Sequence, residues 1–314
     1  MSKTIHPAPL GIVPAELLLQ DSGAFYTAIE KSLSSVGAVI IQNGISREVP
    51  DALERTARHF FTQIPEATKR MLFDPLKRGE RGYVPLDSER IVDAKHHEHR
   101  ASFRWGTLEH KTETHYPTNP TMDRVFSTSK QRNTFITAYN TAFDDYYSTA
   151  TSMLSIIAEL LGKTTSYYSE KISSGNNVLS SQWYPPNNSV VAQKHFDKGY
   201  LALSFETPTG LEYYHDRVWH AVPHVPNGLL ITLGQALSKE TGFPAFCHRV
   251  VGTRTSRLVS VFFANPVQSE FFTQKNLTSS VMPATVMPAS LTPSTIMPAA
   301  LSTSVMPAIL SPVI

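Results

Sequence analysis

Residues 181–205 read SQWYPPNNSVVAQKHFDKGYLALSF. Runs of β-forming residues at 181–184 and 200–205 flank a turn signal at Pro185-Pro186, and His195-Phe196-Asp197 lies between them. Side chains two apart on an extended chain share a face, so His195 and Asp197 point the same way. About fifty residues further on, His248 stands within Cys247-His248-Arg249-Val250. Two imidazoles and one carboxylate can hold a non-haem iron(II) on one face and leave positions open for a cosubstrate and dioxygen. A His-x-Asp pair alone is weak evidence. Its weight depends on whether the chain between 197 and 248 folds back on itself.

That intervening chain favours return. Short β-forming segments recur at 200–205, 211–214, 229–233, 246–251 and 257–263, with turn signals at Pro208, Pro223, Pro226-Asn227-Gly228 and Thr241-Gly242. Many short strands without an intervening helical pattern imply a sandwich or barrel rather than a parallel sheet.

The preceding half is different. Phe25, Ile29, Leu33 and Val36 recur at helical spacing up to Gly37, and Ala38-Val39-Ile40-Ile41 is a short apolar strand. A helix over about 51–59 buries Leu53, Ala57, Phe60 and Phe61, and Pro65-Glu66 restarts a short one. Residues 71–120 are irregular and charged, with a strand edge at Phe103-Arg104-Trp105-Gly106. Their cluster His96-His97-Glu98-His99-Arg100 reads as loop or channel lining, because such close packing in sequence defines no convergent metal geometry. The longest helical pattern, 121–162, carries Phe126, Phe135, Tyr139, Phe143, Tyr147, Leu154, Ile157 and Leu160 and serves as a brace. The expected architecture is a helical N-terminal region over 1–180 that packs on and contributes to a strand-rich core over 181–270.

The tail 278–314 holds six prolines and no charged residue, and repeats Met-Pro-Ala at 282–284, 287–289, 297–299 and 306–308. Proline at that frequency forbids a regular helix or central strand, so the tail is expected to be disordered. An apolar fraction of 41% with 17% charged residues suits a soluble globular protein. The 28 basic and 26 acidic residues leave no basic face for nucleic acid. Cys247 is the one cysteine, which excludes an intrachain disulfide and a thiolate metal cluster. With no secretory signal or membrane-length apolar run read in the sequence, the expectation is a cytoplasmic monomer that takes a small-molecule substrate.

Several landmarks occur together: Trp183-Tyr184-Pro185-Pro186, His195-x-Asp197, Gly210-Leu211, Trp219, Pro226-Asn227-Gly228, Gly234, Thr241-Gly242, His248-Arg249-Val250 and Arg257. In this order, segment 182–266 resembles the catalytic core of the iron(II)/2-oxoglutarate-dependent dioxygenases, in their isopenicillin N synthase-like branch. The resemblance implies a mainly β fold with a helical N-terminal half, a distorted double-stranded β-helix or jelly roll braced by α-helices. It implies iron(II) on His195, Asp197 and His248, with 2-oxoglutarate as cosubstrate and dioxygen as oxidant. It also implies that Arg257 engages the distal carboxylate of 2-oxoglutarate and that Tyr184 contacts cosubstrate or substrate. The reaction implied is hydroxylation, desaturation or oxidative cyclisation of a small organic molecule in specialised metabolism.

One position departs from the family pattern. Where the family reads Arg-x-Ser, this chain reads Arg257-Leu258-Val259, and Ser260 falls on the opposite strand face; Thr232, Thr255 or a tyrosine could supply the hydroxyl instead. The departure leaves room for an iron oxidase that does not use 2-oxoglutarate. Two other readings are a catalytically silent jelly-roll interaction protein, against which the intact His195, Asp197 and His248 argue, and a hydrolytic metal site, against which the lack of a recognised acid-base Glu and the match around Arg257 argue. Substrate-facing candidates are Arg81, Tyr83, Arg104, Trp105, Gln182, Phe196 and Phe246.

Overall fold

The computed structural model describes residues 9–73, 80–89, 98–106, 118–207 and 209–267. The tail expected to be disordered, together with His96 and His97 of the histidine cluster, lies outside them.

The chain opens with strand β1 (Gly11–Pro14), a turn of helix α1 (Leu17–Gln20), helix α2 (Ser22–Val36) and strand β2 (Ala38–Gln42). The Asp21 side chain caps α2 by accepting from the Ala24 amide, and Gly37 ends it with φ +69°. A side chain at Gly37 would also collide with the Pro244 carbonyl. Helices α3 (Glu48–Gln63) and α4 (Glu66–Arg70) lead to strands β3 (Gly82–Val84) and β4 (Ala101–Trp105). Helix α5 (Ser129–Leu160) is capped by Thr128 and is roughly 48 Å long at 1.5 Å per residue. Phe126, expected within this helix, precedes it.

After the short α6 (Ser169–Ser173) come β5 (Val178–Tyr184), β6 (Val190–His195), β7 (Leu201–Phe205), β8 (Leu211–His215), β9 (Val218–Ala221) and β10 (Gly228–Leu233). Helix α7 (Gln235–Thr241) then precedes β11 (His248–Val251) and β12 (Arg257–Ala264). The strand pattern of this half gives no sign of α7, which at two turns is too short to establish a helical period.

Two sheets result. One has eight strands in the order β1-β2-β10-β7-β12-β5-β4-β3, and the other four in the order β6-β11-β8-β9. This is the jelly-roll core with helices ahead of it that the sequence implied. Strands β1–β4 from the N-terminal half share the large sheet with those of the C-terminal half.

Alternation along the strands gives the large sheet two distinct faces. Along β12, Leu258 and Phe262 turn toward the helices, where Phe262 meets Phe143 and Tyr146 with ring centroids 5.2 and 6.4 Å apart. Leu179 of β5, Leu203 of β7 and Phe103 of β4 join the same core. Phe60 from α3 and Phe135 and Tyr139 from α5 pack with Phe103 at 4.9 to 5.2 Å. The opposite face, Arg257, Val259, Val261 and Phe263, is left to line a cavity. The helices therefore cover one side of the large sheet and leave the other free for chemistry.

Candidate metal centre

Strands β6 and β11 run antiparallel with His195 directly opposite His248. Their rings lie 4.2 Å apart between centroids. Asp197 sits just beyond the end of β6, so the shared face expected of His195 and Asp197 holds although the strand itself stops at His195. The Gln235 amide at the start of α7 donates to the Asp197 carbonyl at 2.8 Å, and the Ala236 amide to the Lys198 carbonyl at 3.1 Å. The unpaired amides of a helix start thus hold the carboxylate-bearing loop in place. Gly234 allows that approach: a side chain there would come within 2.3 Å of the Gly199 carbonyl.

One ligand atom from each of His195, Asp197 and His248 lies within 4.8 Å of the others, a set that can hold a metal ion. The His195 Nδ1 is 2.7 Å from the Gln193 carbonyl, and the His248 Nδ1 is 3.2 Å from that of Phe246. A carbonyl only accepts, so each Nδ1 carries the proton and each Nε2 keeps its lone pair for a metal. Enclosure brings the His248 imidazole down to about 4, against the pull of Asp197. It is neutral at ordinary pH, the state ligation requires.

The triad opens on a cavity of about 430 Å³ between the two sheets. Arg257 lines its inner wall, is only 6% exposed, and has Nε and Nη1 without a hydrogen-bond partner. Burial pushes this guanidinium below its ordinary value, with the Tyr184 hydroxyl opposing. Its carbon lies 4.9 Å from the Tyr184 ring centre. A buried cation with two unused donors is costly unless an anion enters, and a carboxylate matches its fork. The residues present therefore fit both iron(II) and a dicarboxylate cosubstrate.

The cavity also holds Glu98 and Arg100, from the stretch read in the sequence as loop or channel lining. Arg100 pairs with Glu98 at 2.6 Å and Glu89 at 3.3 Å, and donates to the Tyr184 hydroxyl at 3.4 Å. Burial works against the Arg100 charge, but Tyr184, Glu89 and Glu98 together raise its pKa above the ordinary value. Arg104 pairs with the same Glu89. Ser102 and Arg104 alternate on β4, where they stand opposite Gln182 and Ser180 on β5, and Arg100 immediately precedes the strand.

Among the expected substrate-facing residues, Arg104, Gln182 and Phe246 line the cavity, as do Tyr184 and Arg257. Arg81, Tyr83, Trp105 and Phe196 do not. Tyr83 is paired across the sheet with Phe103, which places it on the helix face, where its hydroxyl donates to Glu66 at 2.8 Å. Trp105 has the same parity as Phe103, and its indole donates to Asn140 on α5. Arg81 is buried against Asn176, which it reaches at 2.6 Å. Phe196 falls between two inward-facing ligands, so alternation turns it out, 39% exposed. Val259 does face the cavity, whereas Ser260 turns to the helix side and bonds Ser181 at 2.8 Å. Of the hydroxyls considered in its place, Thr232 lines the cavity and Thr255 does not.

Comparison with known proteins agrees with this geometry. Residues 173–266 match the family model of the 2OG-Fe(II) oxygenase superfamily. The 1-aminocyclopropane-1-carboxylate oxidase homolog 1 of Arabidopsis thaliana is 27% identical over 122 residues, 36% of this chain and 33% of its own. The match thus spans about a third of that relative's length. The chloroplastic 2-oxoglutarate-dependent dioxygenase 21 of Oryza sativa subsp. japonica is 22% identical over 242 residues, 74% of this chain and 68% of its own. A crystal structure of a 2OG-Fe(II) oxygenase family protein from Caulobacter crescentus superposes with a TM-score of 0.71 at 22% identity, covering 83% of this chain and 88% of the other. That likeness establishes a shared fold.

Proposed function

We propose that the chain is a member of the iron(II)/2-oxoglutarate-dependent oxygenase superfamily and oxidises a small organic molecule at the expense of 2-oxoglutarate and dioxygen. The observation that carries this reading is a three-residue metal set and a buried arginine with two unpartnered nitrogens in one cavity. His195, Asp197 and His248 would hold iron(II), which supplies activation of dioxygen coupled to the conversion of 2-oxoglutarate to succinate and carbon dioxide. The carbonyls of Gln193 and Phe246 fix the ring orientations. Arg257 binds the distal carboxylate. Tyr184 spends its own hydrogen on Gln182 at 2.8 Å, and so packs beside the cosubstrate as an oriented ring.

The sequence landmarks support a place in the isopenicillin N synthase-like branch. The substrate would occupy the space bounded by Arg100, Arg104, Glu98 and Phe246, which offers donors, acceptors and an aromatic wall. Such a site suits an organic molecule with both polar and apolar parts. Self-contained metal and cosubstrate sites are consistent with action as a monomer. No described helix is long and apolar enough to cross a membrane.

The test is an anaerobic titration of 2-oxoglutarate into the iron(II)-loaded chain, followed by admission of air and measurement of succinate. The expected result is saturable binding and oxygen-dependent succinate release, both abolished in His195→Ala and His248→Ala. Iron binding with no response to 2-oxoglutarate would instead assign the site to an iron oxidase without that cosubstrate.

A further inference from the structure

We infer that Thr207, with Ser204 as its partner, supplies the hydroxyl contact to the cosubstrate's distal carboxylate that Val259 cannot make. The inference rests on the cosubstrate reading above and assigns residues to it that no landmark in the sequence marks.

Ser204 and Thr207 are 6% and 5% exposed, both line the cavity, and their hydroxyl oxygens are 3.0 Å apart. On β12, Val261 stands opposite Ser204, and Val261, Val259 and Arg257 share one face that lines the same cavity as Ser204 and Thr207. The hydroxyl pair therefore shares a cavity wall with Val259, the position where the family pattern carries its serine.

Other hydroxyls near this wall are already committed. Tyr184 donates to Gln182, Ser102 to Glu89, and Thr232 to the Ala202 carbonyl at 3.4 Å. Ser260 is turned to the helix side. Ser180 is buried without a partner but is not part of the cavity wall. The Ser204–Thr207 pair differs. Two hydroxyls carry two hydrogens, and the bond between them uses one. The second is left to donate within the cavity that Arg257, with Nε and Nη1 unpartnered, also lines.

The backbone makes this placement. Strict alternation from Ser204 would send Glu206 inward and Thr207 to the helix face. Glu206 instead adopts φ +39°, a left-handed conformation unusual for a residue with a side chain. It is held there by its amide donating to the Gly228 carbonyl at 2.7 Å, by Arg47 at 2.5 Å, and by the Asn227 amide at 2.7 Å. Strain kept in place by several contacts and delivering a hydroxyl to a cavity has a use there.

The test compares two ligands on the iron(II)-loaded full chain without oxygen: 2-oxoglutarate, and 2-oxobutyrate, which chelates alike but lacks the distal carboxylate. Thr207→Val keeps the shape and removes the hydroxyl. It is expected to raise the Kd for 2-oxoglutarate about tenfold, the usual weight of a hydrogen bond to a charged group, and to leave 2-oxobutyrate unchanged. Ser204→Ala, which unpairs Thr207, should act in the same direction. Val259→Ser in the Thr207→Val background should restore most of the loss. Unchanged 2-oxoglutarate binding in both single variants, or an equal loss of both ligands, would overturn the assignment. If the unaltered chain binds no 2-oxoglutarate, the cosubstrate reading fails first and this assignment with it.

Discussion

At the scale of single residues, Arg257 is the most exposed to test. A buried guanidinium without an anion costs the folded chain, so its replacement by an apolar side chain of similar length removes a penalty. Arg257→Met is therefore expected to leave the ligand-free protein as stable as before or more so, and to weaken 2-oxoglutarate binding by at least about a hundredfold, the loss of a bidentate charged contact. Thermal melts with and without 2-oxoglutarate measure both effects. His248 yields a pH prediction. The unfolded chain protonates this imidazole below its ordinary 6.5, the folded metal-free chain only below about 4. Between those values protons favour the unfolded state, so the stability due to this group is full above 6.5 and is lost as pH falls toward 4. The melting temperature of the metal-free protein should drop across that window, and drop less in His248→Asn.

At the scale of elements, the strand parity of the large sheet separates stability from chemistry. Phe262 is fully buried among Phe143, Tyr146 and Tyr147, on the face away from the cavity. Phe262→Ala is expected to cost about 3–5 kcal/mol in denaturant unfolding while the folded fraction keeps its affinity for 2-oxoglutarate. A large loss of that affinity would mean that the two faces are mechanically coupled. The same parity explains which substrate candidates the cavity holds. Arg104 and Gln182 share the inner face, and Tyr83 and Trp105 share the outer one with Phe103. The strands of Arg104, Trp105 and Gln182 were readable and that of Tyr83 was not; the face was readable for none of them, because assignment needs the register of the neighbouring strand.

At the scale of the whole molecule, the two sheets meet around a cavity that holds His195, Asp197, His248 and Arg257. His195, Asp197 and His248 come from segments about fifty residues apart, joined in space by the pairing of β6 with β11. Ligands that bind only the folded chain stabilise it by mass action. Iron(II) and 2-oxoglutarate added together without oxygen should raise the melting temperature by more than either alone, and a chelator should abolish both increments. Additive behaviour with chelator-insensitive 2-oxoglutarate binding would place the cosubstrate away from the metal.

The sequence by itself determined the strand-rich core, the bracing helices and the three residues of the candidate metal set. Alternation, turn residues and donor chemistry are local properties, and His195, Asp197, His248 and Arg257 carry them in their type and order. Only the tertiary structure decided what surrounds them. Arg100 and Glu98 belong to a stretch without clear periodicity, and their role follows from the docking of β4 beside β5. Thr207 reaches the cavity because Glu206 breaks the alternation, and Glu206 is held by Arg47, Asn227 and Gly228, all distant in sequence. A period read along one strand cannot register a turn that other strands enforce.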